Sequence, residues 1–353
     1  MGKTFTKFGY KVNIISSTLK ADNLISGIHI TGFDGNNLHF IEKKRRFFDY
    51  LLSFKPDIVI CCEPFTILPA SDYRKTTKRS IKIISDITEW YPENVAFKLK
   101  GLKKITTYIK LLLFNIYTVN LADKLILGEV TKLRRYNIIA PFKRKTIISY
   151  YPRIEYFKYT PPPFNGQVLT LCYAGVITFE RGILKLLEAA TSIANAYPSI
   201  KVKLKIVGKF QYQYEETAFM KLIKSWTNVD FEMVQWGNYE DISEKISDAD
   251  ICFDLRKRTF VYRNSLPIKI FEYMACGKPV IFSDIKPIQR ELQLHLFGFA
   301  VNPENIEDII DKVSQYLSNP ILLKAHSSIA RKLAEEKFNW ESLENKLVNF
   351  IFN

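Results

Sequence analysis

The chain has 353 residues, 47% hydrophobic and 25% charged, a balance that excludes a disordered or fibrous protein and leaves room for two domain cores. The net charge of +15 lies entirely in residues 1–165, which hold 28 Lys+Arg against 13 Asp+Glu, whereas residues 166–353 hold 23 of each. No run of about eighteen uncharged apolar residues occurs, so no transmembrane helix is expected.

Residues 1–9 read as a helix that is basic but has no apolar signal core, so the protein is expected in the cytoplasm. Short runs rich in β-branched residues follow at 11–16, 28–30, 57–62, 81–85, 124–127 and 145–148, and they predict strands. Helical stretches lie between them at 40–54, 96–121 and 131–136. Short apolar strands alternating with helices predict an α/β unit with a parallel sheet covered on both faces.

Residues 98–117 (KLKGLKKITTYIKLLLFNIY) place Lys98, Lys100, Lys103, Lys104 and Lys110 beside a run of leucines and aromatics. Two readings stay open. The stretch is a helix lying at an anionic membrane surface, or a core-facing helix with solvated lysines. The basic first half has the same duality: an anionic partner, or an ordinary solvated surface.

Residues 151–166 carry Pro152, Pro161, Pro162 and Pro163 and end at Gly166, which predicts a linker. The αβ pattern then restarts, with strands at 169–173, 203–207, 231–234, 251–255 and 279–282. Helices are expected at 182–197, 239–249, 266–276 and 321–352. The part of the last helix after Asn339 is expected to return to the first domain. The five cysteines (Cys61, Cys62, Cys172, Cys252, Cys276) and four histidines lack metal-ligand spacing and read as structural.

Two windows carry chemistry. In YAGVITFERGI (residues 173–183) a strand meets a helix through Gly175, which lets backbone approach a phosphate, and Arg181 offers a guanidinium. The alternative is a plain glycine turn with a solvated arginine. In RNSLPIKIFEYMACGKPVI (residues 263–281), Asn264 or Ser265 is expected to cap a helix with Pro267 in its first turn. Ser265, Lys269 and Glu272 then share a face, where Lys269 suits phosphate and Glu272 suits ribose hydroxyls. A surface Lys269–Glu272 pair is the competing reading.

The second window resembles the donor-site motif of glycosyltransferase family 4, a retaining group with the GT-B fold. In that family a Glu, seven residues and a second Glu precede M-A-x-G-x-P-V. Glu272, Met274, Ala275, Gly277, Pro279 and Val280 match, and Asn264 stands where the first Glu usually does. The first window is similar to the family's G-R-x-x-x-E-K-G signature at Glu180, Arg181 and Gly182, with Val176 in place of the first cation. Gly208 and the Gln235–Trp236 pair match strand ends flanking the nucleotide. In the first half, Asp86 and Glu89 resemble a D-V-H-E type segment with Thr88 at the His position; as carboxylates after a strand they also suit helix capping.

The resemblance implies two Rossmann-like domains facing across a cleft. Residues 1–160 form a basic acceptor domain lacking its first strand and glycine-rich loop. Residues 161–338 form the nucleotide-sugar donor domain, and residues 339–353 cross back as a helix. The implied catalytic group is Arg181, Lys269, Glu272, Asp86 and Thr88. The implied donor site is Gly175, Arg181, Gly208, Gln235, Trp236, Asn264, Ser265, Pro267, Lys269 and Glu272. No metal or cofactor is expected beyond the nucleotide-diphosphate sugar. Partners implied are that donor, a glycan or polyprenyl-pyrophosphate-linked acceptor of surface polysaccharide synthesis, and an anionic membrane on the cytoplasmic side, but not nucleic acid. A catalytically silent GT-B subunit and an epimerase-like GT-B enzyme are the alternatives.

Overall fold

The computed structural model describes residues 1–18, 20, 22–97, 99–226 and 228–353; Lys98 of the basic stretch lies outside the described residues. The chain forms two units, Met1–Ser149 with Leu343–Asn353, and Tyr150–Ser342.

The first unit begins with α1 (Gly2–Lys7), β1 (Val12–Ser16), β2 (Asp22–Ile25) and β3 (Ile28–Gly32). These strands form a small sheet in the order β1-β3-β2, with β1 parallel and β2 antiparallel to β3. The β2–β3 hairpin escapes the sequence pattern because its two-residue turn is Ser26–Gly27, a weaker signal than Asn-Gly. Both residues take positive φ (53° and 77°), as such a tight turn requires. There follow α2 (Phe40–Phe54), β4 (Ile58–Cys61), α3 (Ile67–Thr77), β5 (Lys82–Ile87), α4 (Glu93–Ala96), α5 (Gly101–Leu121), β6 (Lys124–Leu127), α6 (Leu133–Ile139) and β7 (Arg144–Ile147). Strands β4-β5-β6-β7 make a parallel sheet in chain order. Helix α3 accommodates Pro69. It sits at the third helical position, where its missing N–H has no intrahelical partner to lose.

The second unit contains β8 (Val168–Ile177), α7 (Ile183–Ala196), β9 (Lys201–Phe210), α8 (Gln213–Ser225), β10 (Asp230–Val234), α9 (Ile242–Lys245), β11 (Ile251–Asp254), α10 (Phe260–Asn264), α11 (Ile268–Ala275), β12 (Val280–Ser283), α12 (Lys286–Glu291), β13 (Gly298–Val301), α13 (Ile306–Ser318) and α14 (Pro320–Glu336). All its strands are parallel, in the order β10-β9-β8-β11-β12-β13. This is the doubly wound order, in which the winding reverses between β8 and β11 and opens a crevice beyond their carboxyl ends. One core lies under α7, α8 and α13 (Leu186, Phe219, Val313) and a second under α9, α11 and α14 (Ile246, Phe271, Ala330). Burial on both faces explains why the strands read as unbroken apolar runs.

Three expectations are corrected. The units divide at 149/150 and 342/343, not at 160 and 338, because the proline segment packs on the second unit. Tyr151 lies 4.6 Å from the Phe271 ring and 5.5 Å from that of Phe338, Phe157 is buried, and Thr160 N–H donates to the Cys276 carbonyl. Residues 239–249 are not one helix but a 3-10 turn at Tyr239–Asp241 followed by the four-residue α9, so Asp248 and Asp250 lie in the loop before β11. Asp248 pairs with Lys203 and Lys205, and Asp250 accepts from Thr170 N–H. The long terminal helix is two, α14 and α15 (Glu341–Phe352), broken at Asn339. There the Asn339 amide donates to the Ala334 and Glu335 carbonyls and its oxygen accepts from Ser342 N–H, closing one helix and opening the next.

Candidate functional site

The crevice at the β8/β11 reversal is where the second unit gathers its buried charge. Strand β8 reaches Gly175, whose φ of 131° belongs to glycine and whose Cβ, if present, would stand 2.6 Å from the Lys269 Cε. A Cβ on Gly208 of β9 would stand 2.1 Å from the Gly175 carbonyl oxygen. Gly175 therefore brings bare backbone against the lysine stem, and Gly208 lets β9 approach that backbone from behind. After Ile177, Thr178 accepts from Arg181 N–H and a 3-10 turn (Phe179–Arg181) leads to Gly182. With φ 82° and the Leu255 carbonyl 1.9 Å from its Cβ position, Gly182 admits no side chain and fixes the entry to α7.

Strand β11 delivers Asp254, fully buried, to the same edge. Its carboxylate takes a bidentate bond from the Arg256 guanidinium and lies 3.6 Å from Lys269 Nζ. Burial would push Asp254 up, but Arg256, Lys269 and Arg181 hold it at about 2. Lys269, in the first turn of α11, is 8% exposed; its Nζ lies 3.6 Å from the centroid of the Tyr173 ring and has no hydrogen-bond partner. Burial brings its pKa down to about 7, and the like charges of Arg181 and Arg256 add to that against the pull of Asp254. Three cations thus surround one fully buried carboxylate, and the Lys269 ammonium, although 3.6 Å from it, makes no hydrogen bond. A buried ammonium left so is costly unless an anion completes it.

One turn further along α11, Glu272 is 9% exposed. Burial raises its pKa, while the nearby Tyr239 hydroxyl and Lys269 oppose the rise. The phenol, from the turn after β10, is 39% exposed, and its own pKa is raised by burial and by that carboxylate. This side of the site therefore holds a carboxylate beside a replaceable hydroxyl.

Gly175, Arg181, Gly208, Lys269 and Glu272 come together on the second unit. Pro267 is the N-cap of α11 rather than a residue of its first turn. Asn264 and Ser265 do not cap α11: Asn264 ends α10, where its amide donates to the Phe260 carbonyl, and Ser265 is extended chain between the helices, off the Lys269–Glu272 face. Gln235 and Trp236 are exposed on the loop after β10; from that region it is Tyr239 that reaches Glu272. Asp86 and Thr88 belong to the first unit. Asp86 is buried in β5, and Thr88 follows it with its carbonyl accepting from Lys132 Nζ at 2.5 Å. The sequence reading missed Asp254, Arg256, Tyr173 and Tyr239. Only Asp254 leaves a trace, an apolar strand (ICFD) ending in a carboxylate.

Residues 160–333 match the family described as Glycosyl transferases group 1. No curated protein sequence matches the chain. Among solved structures it is similar to sucrose-phosphate synthase from Thermosynechococcus elongatus, at 15% identity and a TM-score of 0.77 over 99% of this chain and 90% of that one. It is also similar to a glycosyltransferase from Rickettsia africae (15% identity, TM-score 0.73, 99% and 92% covered). A third likeness is to HepE from Anabaena in complex with UDP-glucose (13% identity, TM-score 0.68, 92% and 85% covered). These structural likenesses identify a GT-B fold, within which residues 160–333 match the glycosyl transferases group 1 model.

Proposed function

We propose that the protein transfers a sugar from a nucleoside-diphosphate sugar to an acceptor hydroxyl, binding the donor at the β8/β11 crevice. The observation that carries this reading is the buried Lys269 ammonium, without a hydrogen-bond partner beside Arg181 and Arg256, at the place where doubly wound sheets receive phosphates. The donor's diphosphate would complete that set, and the ribose hydroxyls would take the Glu272 carboxylate in exchange for the Tyr239 hydroxyl. As the bond from sugar to diphosphate breaks, negative charge grows on the leaving phosphate. Lys269 and Arg181 stabilise it, with the amide end of α11 behind them. In this reading the cations of the chain do the work without a metal ion, and the anomeric configuration is retained.

The acceptor proposed is a glycan or a polyprenyl-pyrophosphate-linked saccharide of surface polysaccharide assembly, with the reaction on the cytoplasmic side of the membrane. Asp86 and Thr88 are proposed to act from the first unit. UDP-sugars are the first donors to try, since HepE holds UDP-glucose. A thermal-shift series with UDP-, GDP- and ADP-sugars is expected to give one donor that raises the melting temperature in the parent chain and not in Lys269→Ala. Product analysis with that donor should then show transfer with retention, reduced roughly tenfold or more in Lys269→Ala or Arg181→Ala. Parent-like binding and rates in both variants would overturn the assignment. Binding without transfer would select a catalytically silent subunit.

A further inference from the structure

Helix α5 turns a mixed face inward: Asn115 is 1%, Thr118 0% and Val119 1% exposed, with Leu111 and Leu112 half-buried beside them. Asn115 donates to the Tyr91 carbonyl and the Tyr136 hydroxyl, so the polar part of this face is satisfied within the first unit. The opposite face carries Leu102, Ile105, Ile109, Leu113 and Tyr117, exposed by 80%, 57%, 51%, 61% and 56%. Their spacing of three, four, four and four residues sets them in one stripe along the whole helix. Five large apolar side chains in a row at half exposure or more exceed the scattered surface apolar residues of a folded domain and mark a contact surface.

The charge around the stripe names its occupant. No Asp or Glu occurs between Glu93 and Asp123, while Lys100, Lys103, Lys104 and Lys110 are all exposed there. On the helical wheel Lys103 and Lys110 border the stripe on one side, whereas Lys100 and Lys104, at the amino-terminal end of the helix, fall on the side of Thr118 and Asn115. Long lysine stems beside an apolar stripe let the ammonium groups reach phosphate while the stripe enters the acyl boundary. Among the described residues no helix is long and apolar enough to cross a membrane, so the mode that fits is a helix lying in the interface.

We propose that α5 docks the protein on an anionic phospholipid surface, with Leu102, Ile105, Ile109 and Leu113 inserted and Lys103 and Lys110 on lipid phosphates. A protein partner would have to supply both a long apolar groove and an acidic rim, whereas an anionic bilayer supplies both at once. The proposal uses neither donor nor acceptor, so it stands or falls apart from the assignment of sugar transfer.

The test is flotation of the full chain with phosphatidylcholine vesicles, with and without phosphatidylglycerol. Binding is expected only with the anionic lipid and should weaken with salt. Lys103→Glu with Lys110→Glu should lower partitioning by about fivefold or more per lysine. Ile109→Asn with Leu113→Asn should lower it by roughly tenfold or more even at low salt. Both pairs are exposed, so melting temperatures close to the parent's are expected; the lysine pair still decides the matter if the apolar pair fails to fold. Equal binding to both vesicle types, or parent-like binding by the folded variants, would overturn the proposal. So would concentration-dependent self-association in sedimentation that the Asn variants abolish, because the stripe would then cover a second copy of the chain.

Discussion

Lys269 is the residue on which the proposed chemistry turns, and its environment makes a pH signature. With its pKa brought down to about 7 in the free protein, it is a cation below neutrality and loses its charge above it. A phosphate requires the cation, so kcat/KM for the donor is expected to fall as pH rises through about 7, and donor binding should take up a proton in that range. In Lys269→Met the rate should be low and this limb absent. The same limb with the same midpoint in the variant would assign it to another group. Tyr239 supports a second expectation. Its hydroxyl opposes the burial that raises the Glu272 pKa, so Tyr239→Phe removes that support from a buried carboxylate. Donor KM should rise by roughly threefold to tenfold with kcat little changed, as read from initial rates. The sequence window displays Lys269 and Glu272, but Tyr239 is 33 positions earlier and Asp254 is 15 positions before Lys269. Their partnership needs the folded crevice.

Elements that the pattern reads well are those whose faces match the sheet they cover. Helix α2 falls at residues 40–54 as expected, and the second-unit strands fall close to their apolar runs. The breaks are read poorly. The terminal stretch keeps helical composition from residue 320 to the end, and what divides it is Asn339 turned inward, with Trp340 N–H on the Pro152 carbonyl. Asn339→Ala removes a cap to α15 and two bonds to the end of α14. It should cost about 1–2 kcal/mol, visible as a lower melting temperature with the fold retained. The start of α11 is misread for a related reason. Asn264 and Ser265 look like caps, yet the short α10 claims Asn264 and moves the start of α11 to Pro267. Helix α5 is the case in which composition could not choose: its apolar and basic residues fit a core-facing helix equally well, and only burial of Asn115 and Thr118 decides which face is outside.

On the scale of the whole molecule, the chain leaves the first unit at Ser149 and re-enters it at Leu343. The returning α15 buries Leu347 and Ile351, and its Glu344 accepts from Thr4 Oγ1 and pairs with Lys7. Lys82 and Lys124 hold its terminal carbonyls, at Phe352 and Phe350. Truncation after Ser342 is therefore expected to destabilise the first unit selectively. Hydrogen exchange should rise in β5 and β6 while β8 and β9 stay protected; uniform exchange across both units would contradict this.

Taken by itself, the sequence determined the α/β class, the one-sided basic charge and the two windows, around Gly175 and around Lys269 and Glu272, that form the candidate site. These follow from periodicity, turn chemistry and local windows, which are written in adjacent residues. Tertiary structure alone decided that Asp254, Arg256 and Tyr239 complete that site, that Asn264 and Ser265 lie outside the α11 cap, and that α5 turns its apolar stripe outward. Each of these depends on which residues far apart in the chain share a low-dielectric interior, and burial of that kind has no local spelling.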